Sequence, residues 1–462
     1  MARTKAILGS GARLSDFLSA SLLARVYPAS MITGILDEHG CNSQRVRSLP
    51  ALSGAYFCIA LSLYPEVAYS QVFTVVSQGL SWMQGHAASA SIAKSSVSQM
   101  RTKLGAAPFQ TLLKRACLPL ADPTRHPDAF YAGLRLVAID GSNFEVPDEP
   151  DNIKAFGYPG SRTGHAGYPQ AQCAIVVECA SHAIVAANLG AYRSSEWDIC
   201  KPLLASLNSS MLCLADRGFN GHAHWVAASA SGAQLLWRCV NNRHLPIVKE
   251  LGDGSYLSVL YPARTTSKKQ QQVSKEGVTV RVIDYALPNT GDAQPRYRLL
   301  TTLLDETQAP ALELAALYHQ RWEVELVFDE LKTHLLHKRR VLRSKTAELV
   351  RQEFYGWVLA HYAVRWLMHQ AATEHRLPDR RLSFTGTAQL LRCAQPQSGA
   401  FLPTKPRKRQ LWFDALLASC AKLRSVINKG QWKWGSGLAF TVKKGSGLSL
   451  SDYHLNPSSQ SG

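Results

Sequence analysis

Apolar residues fall into two kinds of pattern along this chain, and the change comes at residue 134. Up to about residue 125 they recur at helical spacing, broken at Pro28, Pro50 and Pro65, which predicts a run of helices. Within that run, residues 88–105 (ASASIAKSSVSQMRTKLG) read as a short helix, a Ser-rich turn and a second helix bearing Gln99, Arg101 and Lys103. The pattern suits a helix-turn-helix DNA reader and equally a plain surface helix with a Ser cap. From 134 the apolar residues come in short blocks. Residues 134–139, 171–177 and 183–188 predict three strands, 194–207 a Ser-capped helix and 211–215 a fourth strand. A helix from His222 and a fifth strand at 234–240 complete the order β-β-β-α-β-α-β. Two of these strands run straight into a carboxylate, Asp140 after the first and Asp216 after the fourth.

From about 242 to 295 the texture is that of a β-rich insertion, with turns at GDG and PNTGD and alternating runs at 256–261 and 278–286. One more strand follows at 297–304, then a long helix with Pro310 near its first turn. Residues 346–375 read as helix, 400–440 as a basic stretch with three Trp, and the Gly/Ser-rich end as a flexible tail. The expected division is a helical N-terminal domain at 1–125, an α/β core at 126–345 containing the insertion, a basic helical region at 346–445 and a tail at 446–462.

The long helix carries the sharpest chemical signal. In YHQRWEVELVFDELK, Tyr318, Arg321, Glu325 and Lys332 lie at offsets 0, 3, 7 and 14. At roughly 100° per residue, an α-helix gathers all four within about 60° of arc. Trp322 borders this stripe, and Leu317, Val324, Phe328, Leu331 and Leu335 form an apolar stripe beside it. A carboxylate among an arginine, a lysine and two aromatics suits an enzyme acting on phosphate.

Charge points the same way. The chain of 462 residues has a formal charge of +18. From Lys332 onward there are 22 Lys and Arg against 6 Asp and Glu, so 22 − 6 = +16 of it lies in the last stretch, which includes KPRKR at 405–409. A block of that charge fits a polyanion such as nucleic acid. The ten cysteines are scattered without a CxxC cluster, the usage of reduced thiols in a cytoplasmic protein and not of a zinc site or disulfide framework. The longest apolar run, 55–64, is too short to span a bilayer, and no signal peptide opens the chain, so no membrane partner is expected.

Phosphodiester cleavage without a covalent intermediate can be run by two Mg²⁺ ions, which need about three carboxylates in one cleft. Asp140, Asp216 and Glu325 qualify if strand ends and helix converge. An Asp at a strand end is otherwise a common turn former. Glu145, Asp148, Glu149 and Asp151 are expected on a solvated loop.

Three blocks carry a family resemblance: AIDGSNFEVPD, CLADRGFNG, and YHQRWEVELVFDELK, which fits Y-x2-R-x3-E-x6-K without a gap. RLLTTLLDE and VLRSKTAELVRQEFYGW flank the last, and ILDEHGCNSQRVRSLP and SSVSQMRTKLG agree near the N-terminus. The chain resembles the IS4-family DDE transposases of bacterial insertion sequences. The resemblance implies an RNase H-like α/β core, a mixed sheet flanked by helices, with the insertion between the second Asp and the Glu. It implies that Asp140, Asp216 and Glu325 bind two Mg²⁺ or Mn²⁺ ions and are catalytic. Tyr318, Arg321 and Lys332 would contact DNA phosphates, and Trp322 would stack on a flipped base. The implied partners are double-stranded DNA, as terminal inverted repeats and target, and a second copy of the chain in a paired-end complex. A non-cutting DNA-binding regulator and an RNase H-like nuclease without strand transfer are the rival readings.

Overall fold

The computed structural model describes residues 21–43, 50–84, 93–161, 164–165, 167–219, 221–262, 277–286, 296–336, 341–393, 406–424 and 441–442. The KKQQQ stretch, two of the three C-terminal tryptophans and the Gly/Ser-rich tail lie outside the described residues.

Five strands form the centre: β1 (Leu134–Glu145), β2 (Gln170–Glu178), β3 (Ile184–Ala191), β4 (Met211–Ala215) and β5 (Gln234–Cys239). Their spatial order is β3-β2-β1-β4-β5, with β1, β4 and β5 parallel and the β1-β2-β3 meander antiparallel. This is the mixed sheet of an RNase H-like core. Successive residues face opposite sides of the sheet, so covering both faces demands an unbroken apolar run. β1 meets that demand: Leu136 and Ala138 join one core, and Val137 and Ile139 the other. Leu212 and Leu214 of β4 divide from Cys213 and Ala215 in the same way.

The insertion does not form a layer of its own. β6 (Tyr256–Leu260), β7 (Val278–Ala286) and β8 (Arg296–Thr301) continue the central sheet outward from β5 in the order β8-β7-β6; with the two-residue strands Phe130–Tyr131, Lys249–Glu250 and Thr441–Val442, the described residues form one eleven-stranded sheet. β8 pairs with β5, satisfying backbone groups that an edge strand would leave open. Arg281 of β7, fully buried, pins the extension. It forms an ion pair with Asp253 and donates to Ser255 Oγ at 2.8 Å and to the Ala309 carbonyl at 2.6 Å.

The N-terminal helices are α1 (Ala29–Glu38), α2 (Ala51–Ala60), α3 (Tyr69–Gln84), α4 (Lys94–Leu104) and α5 (Ala107–Ala116), with Pro28 and Pro50 capping α1 and α2. They share a core with a 28-residue helix, Ala347–Glu374, and with a helix at Phe384–Cys393. The middle of the long helix is buried on all sides, as its apolar composition requires. At Gly356 it comes so close to α2 that a Cβ would lie 2.7 Å from the Cys58 carbonyl oxygen. Gly356→Ala would gain up to about 1 kcal/mol of helix propensity in isolation. Here the clash is with backbone, and urea denaturation should show a net loss of about 1–3 kcal/mol. An unchanged or stabilised variant would mean that the two helices can part freely.

Arg101, read as lying on a DNA-reading helix or on a plain surface helix, is buried. It is 2% exposed, and its guanidinium donates to Gln352 Oε1 at 2.9 Å, Tyr69 OH at 3.0 Å and Ser344 Oγ at 2.9 Å. Gln352 in turn donates to the Arg101 and Gly105 carbonyls. Gln99 and Lys103 remain exposed. Arg101 is therefore a staple between α4 and the long helix, and the first part of the expected reader, 88–92, lies outside the described residues. Among the described residues no helix is long and apolar enough to cross a membrane.

Candidate active site

The parallel register brings the two aspartates together. Ile139 pairs with Ala215, the last registered pair between β1 and β4, so Asp140 and Asp216 follow side by side as the two strands part. Asp140 is braced by the Gly141 N–H, which donates to Oδ1 at 2.9 Å.

Opposite them, the chain after Pro310 is helical through Leu335, yet it is not the uniform helix its spacing predicts. It begins as an α-helix at Ala311–Tyr318, tightens to 3₁₀ at His319–Trp322, returns to α at Glu323–Asp329 and widens to a π-turn at Glu330–Leu335. Such changes of winding cluster at functional sites. Arg321 Nη1 donates to Asp140 Oδ2 at 3.1 Å and Nη2 to Glu325 Oε1 at 2.7 Å, so one guanidinium joins helix carboxylate to strand carboxylate. The Tyr318 hydroxyl donates to the Ala215 carbonyl at 3.3 Å, bracing the strand end from which Asp216 projects. Lys332 Nζ donates to Ser142 Oγ at 2.6 Å, two residues beyond Asp140. Trp322 is 57% exposed and stands clear of the core. Asp140, Arg321 and Glu325 are thus in one contact network, with Asp216 beside it; Lys332 reaches the same strand at Ser142, Tyr318 braces the Ala215 carbonyl and Trp322 is exposed.

A further carboxylate, not singled out from sequence, belongs to this cluster. Glu196 opens the short helix Glu196–Cys200 behind the Ser195 cap, which accepts from the Asp198 N–H. Its carboxylate lies against both aspartate loops. A Cβ on Gly141 would be 2.5 Å from Glu196 Oε1, and one on Gly218 would be 3.2 Å from Oε2. In sequence the residue reads as an ordinary first-turn acid, favoured by the helix dipole.

Crowding shows in the electrostatics. Burial pushes the Asp140 carboxyl up to about 6 against the opposing pull of Arg321, and Glu196 and Asp216 add to the rise. Burial and then Asp216 raise Glu196 as well. Burial lowers Lys332, and burial with Arg321 and Arg238 lowers His319 to about 4. Burial alone would lower Arg321, yet Tyr318, Asp140 and Glu325 hold it above its usual range. Asp216 Oδ1 is buried without a hydrogen-bond partner among the described residues; the Arg238 guanidinium stands 4.0 Å away. Carboxylates that repel one another, with an orphaned oxygen among them, suit a hard divalent cation.

The expected decoys have structural places: Glu145 is not on a loop but is the last residue of β1, paired with Gln170 of β2. Asp151 Oδ2 accepts from the Ala347 N–H at 2.7 Å, capping the long helix rather than lying on a solvated loop. Glu149 pairs with Lys345, and Asp148 accepts from Tyr158. A separate group, His126, His369 and Asp379, has its donor atoms within 4.8 Å of one another. His369 Nδ1 already bonds Asp379 Oδ2 at 2.8 Å, and the His126 nitrogens face the Asp122 N–H and the Thr373 hydroxyl.

The helix is anchored by buried charge. Glu330 is paired with Arg365 and lies 2.8 Å from His361 Nε2, and His182 Nε2 lies 2.6 Å from Glu323 Oε2. Burial lowers the pKa of His182 against the pull of Glu323, and lowers that of His361 to about 3.

Residues 131–363 match the family model described as the transposase DDE domain, and residues 18–114 match that of the insertion element 4 transposase N-terminal region. The chain is 29% identical over 378 residues to the transposase InsG for insertion sequence element IS4 of Escherichia coli (strain K12), covering 78% of this chain and 77% of that one. It is similar to the piggyBac transposase synaptic complex with hairpin DNA at TM-score 0.37 and 9% identity, over 86% of this chain and 85% of that one, too distant a likeness to bear on mechanism.

Proposed function

The chain belongs to the DDE transposase family, DNA-cleaving enzymes that depend on divalent metal, and from that premise we propose that Asp140, Asp216 and Glu325 hold two Mg²⁺ or Mn²⁺ ions and cut the ends of the element that encodes it. The observation that carries this reading is the pairing of Ile139 with Ala215, which sets the two aspartates side by side, with Arg321 tying Glu325 to Asp140. When bound, such an ion pair activates the attacking oxygen and neutralises the leaving one in an in-line displacement.

The remaining residues position DNA. Arg321 balances the carboxylates and offers its remaining N–H groups to a phosphate at the scissile end. Lys332, partly exposed beside Ser142, supplies a point charge to the same backbone. Tyr318 holds the strand end from which Asp216 projects. Trp322 stacks on a base displaced from the terminal duplex, a role its exposure allows. The freed 3′-OH then attacks target DNA, with two copies of the chain pairing the two ends, in the bacterial cytoplasm on the chromosome. The basic stretch from Lys332 onward holds the polyanion, and the helix Pro406–Ala421 opens within KPRKR.

The test is incubation of the purified protein with duplexes ending in the inverted repeats that flank its coding region. We expect nicked and joined products in Mg²⁺, none in EDTA, and recovery in Mn²⁺. No cleavage of those ends with either ion overturns the reading, and nicks without joined products leave a nuclease only. Binding should weaken steeply with added salt; a flat response removes the basic stretch from the interface.

A further inference from the structure

We propose that Glu196 is a fourth carboxylate of the metal site, acting together with Asp140 and Asp216. The inference rests on the reading of those aspartates as metal ligands and extends it to a residue outside the three-residue pattern.

Three observations converge. The Glu196 carboxylate is wedged between the residue after Asp140 and the residue two beyond Asp216, with Oε1 over Gly141 and Oε2 over Gly218. Glycine at 141 is what admits it, since a Cβ there would stand 2.5 Å from Oε1. Asp216, whose charge repels that of Glu196, has an Oδ1 that is buried with no hydrogen-bond partner among the described residues, the Arg238 guanidinium standing 4.0 Å away. Among the described residues Glu196 has no ion pair, and only the Gly141 N–H favours its charge, so a carboxylate placed against two others is repelled unless a cation lies between them. Arg321 serves Asp140 and Glu325 on the helix side. The Glu196 side faces a divalent cation held jointly with Asp216, either bound directly or through water.

The alternative is an acid at the start of a short helix, retained for its interaction with the helix dipole. The two roles predict opposite signs. A dipole partner stabilises the metal-free protein, so Glu196→Gln would lower its melting temperature in EDTA and leave metal affinity alone. A metal ligand destabilises the metal-free protein by repulsion, so Glu196→Gln should melt at or above the wild type in EDTA while losing metal affinity.

The experiment is a titration of the full-length protein with Mn²⁺ alone, followed by the paramagnetic resonance signal of the free ion, beside thermal melts with and without Mn²⁺. Glu196→Gln should weaken Mn²⁺ binding about 10- to 100-fold, with a smaller metal-induced rise in melting temperature, and Glu196→Asp should recover part of the loss. Gly141→Ala, which displaces the carboxylate without removing it, should weaken binding in the same direction, so the proposal stays open to refutation if Glu196→Gln fails to fold. Glu325→Gln and Asp216→Asn serve as controls. If they lose Mn²⁺ binding while Glu196→Gln and Gly141→Ala retain wild-type affinity, the proposal for Glu196 fails and the three-carboxylate reading stands. If the controls themselves bind as the wild type, that reading fails first.

Discussion

Glu325→Ala should abolish end cleavage in Mg²⁺, lowering the rate by about 10³-fold or more, because losing a metal ligand forfeits several kcal/mol of transition-state charge stabilisation and ~4 kcal/mol is already a thousandfold. The side chain is partly exposed, and its ion-pair partner among the described residues is Arg321, which keeps its contact with Asp140, so the variant should fold. Glu325→Gln, of the same shape without the charge, should lose activity to a similar extent while retaining DNA binding in EDTA. That pairing separates chemistry from grip. Full cleavage by either variant would remove Glu325 from the reaction and leave Asp140, Asp216 and Glu196 as the acids to account for.

The second large effect is on stability. Glu330→Leu leaves Arg365 buried without its carboxylate, and breaking a buried pair from one side costs about 3–5 kcal/mol. Arg365 donates through Nε to Glu330 Oε2 at 2.9 Å and is 4% exposed, with burial already holding its pKa down to about 10. The partnered change Glu330→Leu with Arg365→Met should return most of that loss, since apolar groups of similar volume often replace a buried pair at little cost. Denaturant unfolding of the two single variants and the double closes the cycle. If the single change costs less than about 1 kcal/mol, in the range of an exposed pair, then the cluster is solvated and does not anchor the helix.

What the amino-acid pattern could reveal here follows from how local each cause is. The strands that carry Asp140 and lead into Asp216 were readable because an apolar run buried on both faces leaves its mark within a few residues, but the first does not end at Asp140 as expected: it continues to Glu145, held by its pairing with β2. The spacing of Arg321 and Glu325 was readable for the same reason. The winding of the helix was not, because a constant 100° per residue is assumed whereas the π-turn begins at Glu330, whose partners come from Arg365 and His361 on another helix. Arg101 misled because a polar residue on a helix looks solvent-facing, and its partners Gln352 and Ser344 lie some 250 residues away in the chain. Glu196 was missed since its local context explains it fully; only the fold brings Gly141 and Gly218 up against it. The insertion read correctly as strands, but nothing in alternation says that β8 will pair with β5 rather than close a layer of its own.

The site's two sides differ in mechanical character. Asp140 and Asp216 are borne by central strands sealed between two cores, so their spacing can change only when the whole sheet opens. Glu325 and Lys332 ride on a helix of mixed winding whose seat is a knot of buried charge. The cleft is therefore a vice with one fixed jaw and one adjustable jaw, and substitutions in that knot should throw the jaws out of alignment before they unfold the chain.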